Sequence, residues 1–195
     1  MQLRDYESLE FKEFNDIQFQ DGDLLFCSGN HWISKIIKDG SNSQFSHVGI
    51  IYIWHNTAML IEAVETDGVR IIPLSQYTRN YENSSMAYDG ELYHARMPDL
   101  LPLHFNIVLE KALTLINKRF DSDGVAKAIS RFYLGFGRDN DDDEYFCSEL
   151  IFESFEAIDI LFEKTENGFV YPSHIASDDR VQGLCRIRPE IPYQD

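Results

Sequence analysis

Three residues of this 195-residue chain could together carry out covalent chemistry: Cys147, His47 and Glu62. Cys147 lies in Tyr145-Phe-Cys-Ser-Glu-Leu-Ile-Phe-Glu-Ser-Phe155, where an acidic loop gives way to an amphipathic pattern. Leu150, Ile151, Phe155, Ile158 and Phe162 recur at helical spacing, which predicts a helix running to about Lys164. The first backbone N–H groups of a helix lack an intrahelical acceptor and carry partial positive charge. A cysteine placed at such a start has its thiolate favoured, and the thiolate is the nucleophile. The competing reading is a small buried apolar side chain on a core helix, a common fate for a free cysteine.

His47 opens His47-Val-Gly-Ile-Ile-Tyr-Ile-Trp54, a β-branched and aromatic run that reads as a strand. An imidazole at the mouth of a strand can act as general base for a thiol held nearby, or make an ordinary strand-end hydrogen bond. Glu62 sits in Leu60-Ile-Glu-Ala-Val64, and a carboxylate in an apolar strand is costly unless paired. Loop parity decides whether it meets His47, because side chains alternate faces along a strand. A two-residue turn at His55-Asn56 puts His47 opposite Val64, with Glu62 diagonal to it on the same face. A four-residue loop would put the two directly opposite, and a three-residue loop on opposite faces. Even loops let the carboxylate orient the imidazole, the part played by the third member of a Cys–His–acid triad. The competing reading of Glu62 is a solvated carboxylate on an edge strand.

The elements that must position these residues are short. Asp21-Gly22-Asp23 is turn chemistry before a strand at 24–27. Trp32-Ile33 and Ile36-Ile37 predict a short helix. Strands are expected at 47–54, 58–64, 69–74, 91–97 and 184–188, joined largely by tight turns, which implies an antiparallel sheet. Residues 75–90 read as a long surface loop. Helices are expected at 104–119 and 125–133, an acidic loop at 138–144, and a short helix around residues 6–14. Residues 1–20 are expected to be an N-terminal extension and 21–195 a single domain.

Composition narrows the function. Net charge is -16, from 33 acidic and 17 basic residues. Such a surface repels nucleic acid and anionic membranes and suits neutral or cationic substrates. No apolar run approaches the ~20 residues of an integral membrane span. Residues 1–20 have no apolar leader-like core, so the expected location is cytoplasmic, or secreted or envelope if a leader has been removed. Cys27, Cys147 and Cys185 cannot all pair, and no CxxC spacing supports zinc. Asp139–Asp143 alternates acids like a calcium loop. It has Glu144 where that loop needs glycine and Leu150 where it needs glutamate, so no metal is expected. No GxGxxG or P-loop is present, and no cofactor is expected. The sequence carries no signal for an oligomeric state.

Four motifs occur in order: Gly22-Asp-Leu-Leu-Phe26, Phe45-Ser-His-Val-Gly-Ile50, Ile61-Glu-Ala-Val64 with Gly68-Val69, and Phe146-Cys-Ser-Glu-Leu150. This set, over residues 22–150, resembles the permuted papain-like cysteine hydrolases of the NlpC superfamily, in particular the YiiX-like branch. More distantly it resembles the lecithin–retinol acyltransferase group. Pro172-Ser-His-Ile-Ala176 resembles the proline-containing segment that follows the cysteine helix. The resemblance implies an α+β fold, an antiparallel, partly barrelled sheet packed on the cysteine helix and two or three others. It implies Cys147 as nucleophile, His47 as base, Glu62 as orienting acid, and a bacterial or phage origin. Many relatives are secreted or envelope proteins, whereas residues 1–20 show no leader-like pattern, and Phe120-Asp121 stands where a tyrosine often precedes the aspartate.

The mechanism so implied is acyl transfer through a thioester. The Cys147 N–H would stabilise the oxyanion, with Tyr145 or a side chain near Asp23 as second donor. Trp32, Tyr77, Tyr81 and Tyr88 either line the cleft or cap the core. The expected substrate is an amide, in a peptide, a cell-wall peptide or an amino-acid conjugate. One rival is a lipid-directed thioesterase, phospholipase or acyltransferase. The other is a catalytically silent binding module.

Overall fold

The computed structural model of the chain describes residues 8–65, 67–118, 145–166 and 168–189. The expected helix at 125–133, the acidic loop at 138–144 and Phe120-Asp121 lie outside them. Seven strands form one sheet: β1 (Phe11–Glu13), β2 (Leu24–Gly29), β3 (His47–Trp54), β4 (Thr57–Val64), β5 (Gly68–Pro73), β6 (Gly90–Arg96) and β7 (Gln182–Arg188). Their spatial order is β1-β7-β6-β2-β3-β4-β5, antiparallel throughout except for the parallel β1–β7 pair. The helices are α1 (Trp32–Ser41), α2 (Gln76–Arg79), α3 (Pro102–Thr114), α4 (Cys147–Glu156) and α5 (Pro172–Ala176). Among the described residues no helix is long and apolar enough to cross a membrane.

Both faces of the central strands are covered, which is why Leu24 to Cys27 and Ile50-Ile51 are unbroken apolar runs. One face carries Leu24, Phe26, Val48, Ile50 and Ile61 and packs on Phe105 and Val108 of α3 and Leu150, Ile151 and Phe155 of α4. The other carries Leu25, Cys27, Ile51 and Leu60 and packs on Leu74, Tyr77, Phe14, Ile17 and Phe19.

The β3–β4 hairpin has the two-residue turn. Trp54 pairs with Thr57, and His55 and Asn56 both have positive φ, 45° and 64°. That backbone matches the twist of the flanking strands. The fixed register makes Glu62 a same-face, diagonal neighbour of His47.

Several expectations change. Residues 11–16 form β1 and a 3-10 turn rather than part of a helix. Residues 11–19 of the expected N-terminal extension pair or pack with the sheet. Residues 75–90 are no loose loop: α2 and a second 3-10 turn (Tyr81–Asn83) bury Tyr77 and Thr78. The cysteine helix stops at Glu156, not near Lys164, because the chain turns back at Asp159 (φ 60°) and Ile160 N–H bonds to Phe155 O.

At the far end of β2, Asp23 ties the sheet to its N-terminal strap. Its carboxylate accepts Arg96 Nε (2.7 Å) and Nη2 (2.8 Å), the Gln20 N–H (2.9 Å) and a 2.7 Å bond with His94 Nε2. Arg96 also donates to Gln18 O. Burial raises the Asp23 pKa, but Arg96 and His94 outweigh it and hold the carboxyl below its ordinary value. A depressed carboxyl stabilises the fold above its unfolded value and loses that contribution as pH falls through the folded one. Asp23→Asn should therefore cost about 3 kcal/mol at neutral pH, the scale of a broken buried ion pair. The variant should also show a shallower fall in melting temperature below about pH 4. Thermal melts across pH test this, and parallel curves for the two proteins would refute it.

Candidate active site

Cys147 is the first residue of α4, 6% exposed. Phe146 before it is extended (φ -82°, ψ 155°), and its N–H donates to Glu149 Oε2 at 3.1 Å. That reach-back fixes where the helix begins. Ser148 Oγ donates to Val170 O at 2.6 Å, tying the first turn to the following segment. The Glu149 and Leu150 N–H groups bond to Phe146 O. The N–H groups of Cys147 and Ser148 are the first of the helix, positions that have no intrahelical acceptor. Leu150, Ile151 and Phe155 seat α4 against β3 and β4, which brings its N-terminus to the His47 end of the sheet.

His47 is the first residue of β3, paired across the ladder with Cys27. Its side chain is 15% exposed, and its Nε2 lies 2.7 Å from Glu62 Oε2. Nδ1 is the ring nitrogen not bonded to Glu62, and Cys147 is close enough to favour the charged imidazole. Gly49, two residues on, faces the same way. A Cβ there would come within 2.8 Å of Leu60 Cδ1 and 3.0 Å of Ile61 O, so only glycine fits.

Glu62 is fully buried and saturated with donors. Besides His47, it accepts Tyr77 Oη at 2.6 Å on Oε2 and Arg70 Nε at 2.9 Å on Oε1. Arg70 is its direct partner across β4–β5 and also grips Asp67 (2.5 Å) and Glu82 (2.6 Å). Burial pushes the Glu62 pKa up, but His47, Arg70 and Tyr77 outweigh it and lower it. Burial also works against charge on His47, yet Cys147 and Glu62 prevail and raise its pKa to about 10. Burial, then the Glu62 charge, holds the Tyr77 hydroxyl and the neighbouring Cys27 thiol well above their ordinary values, so both stay protonated.

A cleft of about 760 Å³ opens over this array. Trp32, Ile33 and Ile37 of α1, Phe146, Tyr77, Tyr81 and Tyr88 are among the residues that line it. The Tyr77 ring, almost wholly buried, packs at a tilt against Tyr81 (4.8 Å) and Tyr88 (5.3 Å). Of the residues expected to bind substrate, Trp32 lines the cleft. Tyr145 does not: its ring is in the core below α3 and α4, its hydroxyl 3.2 Å from Glu153. Asp23 does not either, because its carboxylate is committed to Arg96 and His94 at the other end of β2. Sequence reasoning missed Arg70 and, having offered Tyr77 for the cleft it lines, missed its bond to Glu62. A lone arginine on the strand after Glu62 was the available signal for the first. Nothing marked Tyr77 out from the other tyrosines of its segment.

A late cysteine helix docked against an earlier histidine strand defines a permuted papain-like architecture. Over residues 18–179 the chain matches the family described as permuted papain-like amidase enzymes, YaeF/YiiX, C92 family, and it belongs to that family. The crystal structure of metalloprotein yiiX from Escherichia coli O157:H7 is similar in fold, with a TM-score of 0.65 at 19% identity. The likeness covers 90% of this chain and 100% of that one. No curated protein matches the chain. Among the described residues no group of three or more His, Cys, Asp or Glu is arranged to hold a metal ion.

Proposed function

We propose that this chain is a cysteine amidase in which Cys147 is the nucleophile, His47 the acid–base and Glu62 the residue that orients His47. The observation that carries the reading is the 2.7 Å bond from a fully buried Glu62 to an imidazole that also meets Cys147 at a cleft. The Cys147 sulfur adds to the amide carbonyl, and the electron pair moves onto oxygen. The Cys147 and Ser148 N–H groups are placed to stabilise that oxyanion. Collapse breaks the C–N bond as His47 gives its proton to the leaving amine. Water, deprotonated by His47, then attacks the thioester and releases the acid and the thiol.

Charge argues for the substrate class. Glu65, Glu82 and Asp89 line the cleft, and among its described lining residues there is no lysine or arginine. A neutral or cationic amide, such as a peptide or amino-acid conjugate, suits that lining better than an anionic lipid head. The lipid-directed reading draws on the apolar lining of Trp32, Ile33, Ile37 and Phe146, which would take an acyl chain.

Incubation with peptide amides, amino-acid conjugates and acyl lipids, followed by mass spectrometry of the Cys147 peptide, separates the readings. An acyl adduct from amides that is absent in His47→Ala is the expected result. An adduct from lipids alone would shift the substrate class. No adduct from any of them, with an unreactive Cys147, would leave a binding cleft without catalysis.

A further inference from the structure

We propose that Tyr77 is a positioning residue for this reaction: its hydroxyl pins Glu62 Oε2, so that the carboxylate holds His47 with its free nitrogen turned to Cys147. The proposal rests on the catalytic reading above and adds a member that acts on the reaction through Glu62 and His47.

The geometry is closed on every side. Oε2 receives two donors, Tyr77 Oη at 2.6 Å and His47 Nε2 at 2.7 Å, which use both lone pairs of that oxygen. Oε1 receives Arg70 Nε at 2.9 Å. Arg70 therefore fixes one carboxylate oxygen and Tyr77 the other. Without the phenol, Oε2 would keep only His47, the group it has to orient, and the carboxylate plane could turn about its last bond. The other titratable neighbours are Cys27 and Tyr81, both beside Tyr77, both kept protonated by burial and the Glu62 charge, and neither bonded to Glu62.

Tyr77 is itself held firmly. Its N–H donates to Leu74 O at 3.0 Å, its carbonyl accepts the Tyr88 N–H at 2.9 Å, and its ring packs on Tyr81 and Tyr88. It is 1% exposed, and burial keeps its proton in place, so it remains a donor wherever the reaction runs. A phenol on a rigid, stacked segment is a better fixed point than a hydroxyl on a flexible side chain.

Tyr77→Phe keeps the ring and its stacking and removes only the hydroxyl. The probe is iodoacetamide alkylation of Cys147 followed against pH by mass spectrometry, in wild type, Tyr77→Phe, Glu62→Gln, the double variant and His47→Ala. The expected result is a drop of about five-fold in the Cys147 rate at neutral pH in Tyr77→Phe, the scale of one lost hydrogen bond. The acid limb should also move up by about half a pH unit, because Glu62 loses a group that favours its charged form. A packing role would not move that limb. In the Glu62→Gln background the Tyr77→Phe change should have no further effect.

Superimposable wild-type and Tyr77→Phe profiles would overturn the proposal while leaving the catalytic reading intact. So would an undiminished Tyr77→Phe effect in the Glu62→Gln background. If His47→Ala leaves the wild-type Cys147 profile unchanged, the catalytic reading itself fails and Tyr77 falls with it.

Discussion

Replacing His47 with alanine is expected to abolish the alkylation of Cys147 below pH 8 and to slow amide hydrolysis by roughly 10²–10⁴-fold, the range of a lost general acid–base. His47 is the group that holds a proton beside the sulfur. Its pKa is raised to about 10 because Cys147 and Glu62 outweigh the cost of burying its charge. The proton therefore stays on the imidazole through the neutral range and remains available for the leaving amine. On the alkaline side, hydrolysis should fade as pH rises through about 10. The sign for stability is the same. A histidine raised from ~6.5 contributes fully below that value, and its contribution is lost as pH rises through the folded one. Cys27 and Cys185 are buried thiols whose pKa values burial raises, so they serve as internal references. If Cys147 alkylates identically in His47→Ala and wild type, the imidazole does not prime the sulfur.

Glu62→Gln should separate activity from stability. The change keeps shape and removes charge. An uncharged amide presents a donor as well as an acceptor to a pocket that supplies only donors: Arg70 Nε, Tyr77 Oη and His47 Nε2. The imidazole then has no acceptor that fixes its ring, and a loss of roughly 10³–10⁴-fold in turnover is expected, as for a mis-set triad. The stability cost should be smaller than the 3–5 kcal/mol of a fully orphaned buried charge, about 2 kcal/mol. Arg70 is not orphaned, since Asp67 and Glu82 still hold its guanidinium. Chemical denaturation and turnover measured on the same preparation test both parts. A variant that loses its fold yet shows near-normal turnover per folded molecule would contradict the assignment.

What the sequence made legible was local or governed by parity. Cys147 could be placed at a helix start because the apolar spacing after it is helical. Glu62 could be put on the face of His47 because the two residues His55 and Asn56 suit a left-handed turn, and an even loop preserves the face. Arg70 required the register of a second hairpin, and that depends on a connection whose length the pattern does not announce. Tyr77 lay in a stretch rich in Tyr, Asn and Ser, with no period to mark it as buried. Its burial comes from stacking with Tyr81 and Tyr88, which is a tertiary effect. The early stop of α4 carried no glycine or proline, because Asp159 takes the left-handed conformation itself. Asp23 was offered to the cleft because a strand's sequence does not say which of its ends meets the helix.

The sheet order has a consequence for when the protein becomes reactive. Strands β3, β4 and β5 are consecutive hairpins, so the ribosome delivers His47, Glu62 and Arg70 as one early, low-contact-order unit. The sulfur emerges much later, and β7, which must slot between β1 and β6, later still. Closing contacts that distant in sequence is slow compared with local hairpin formation. On the proposed reading, a nascent chain thus carries its acid–base pair before its nucleophile, and reactivity would arise only when α4 docks.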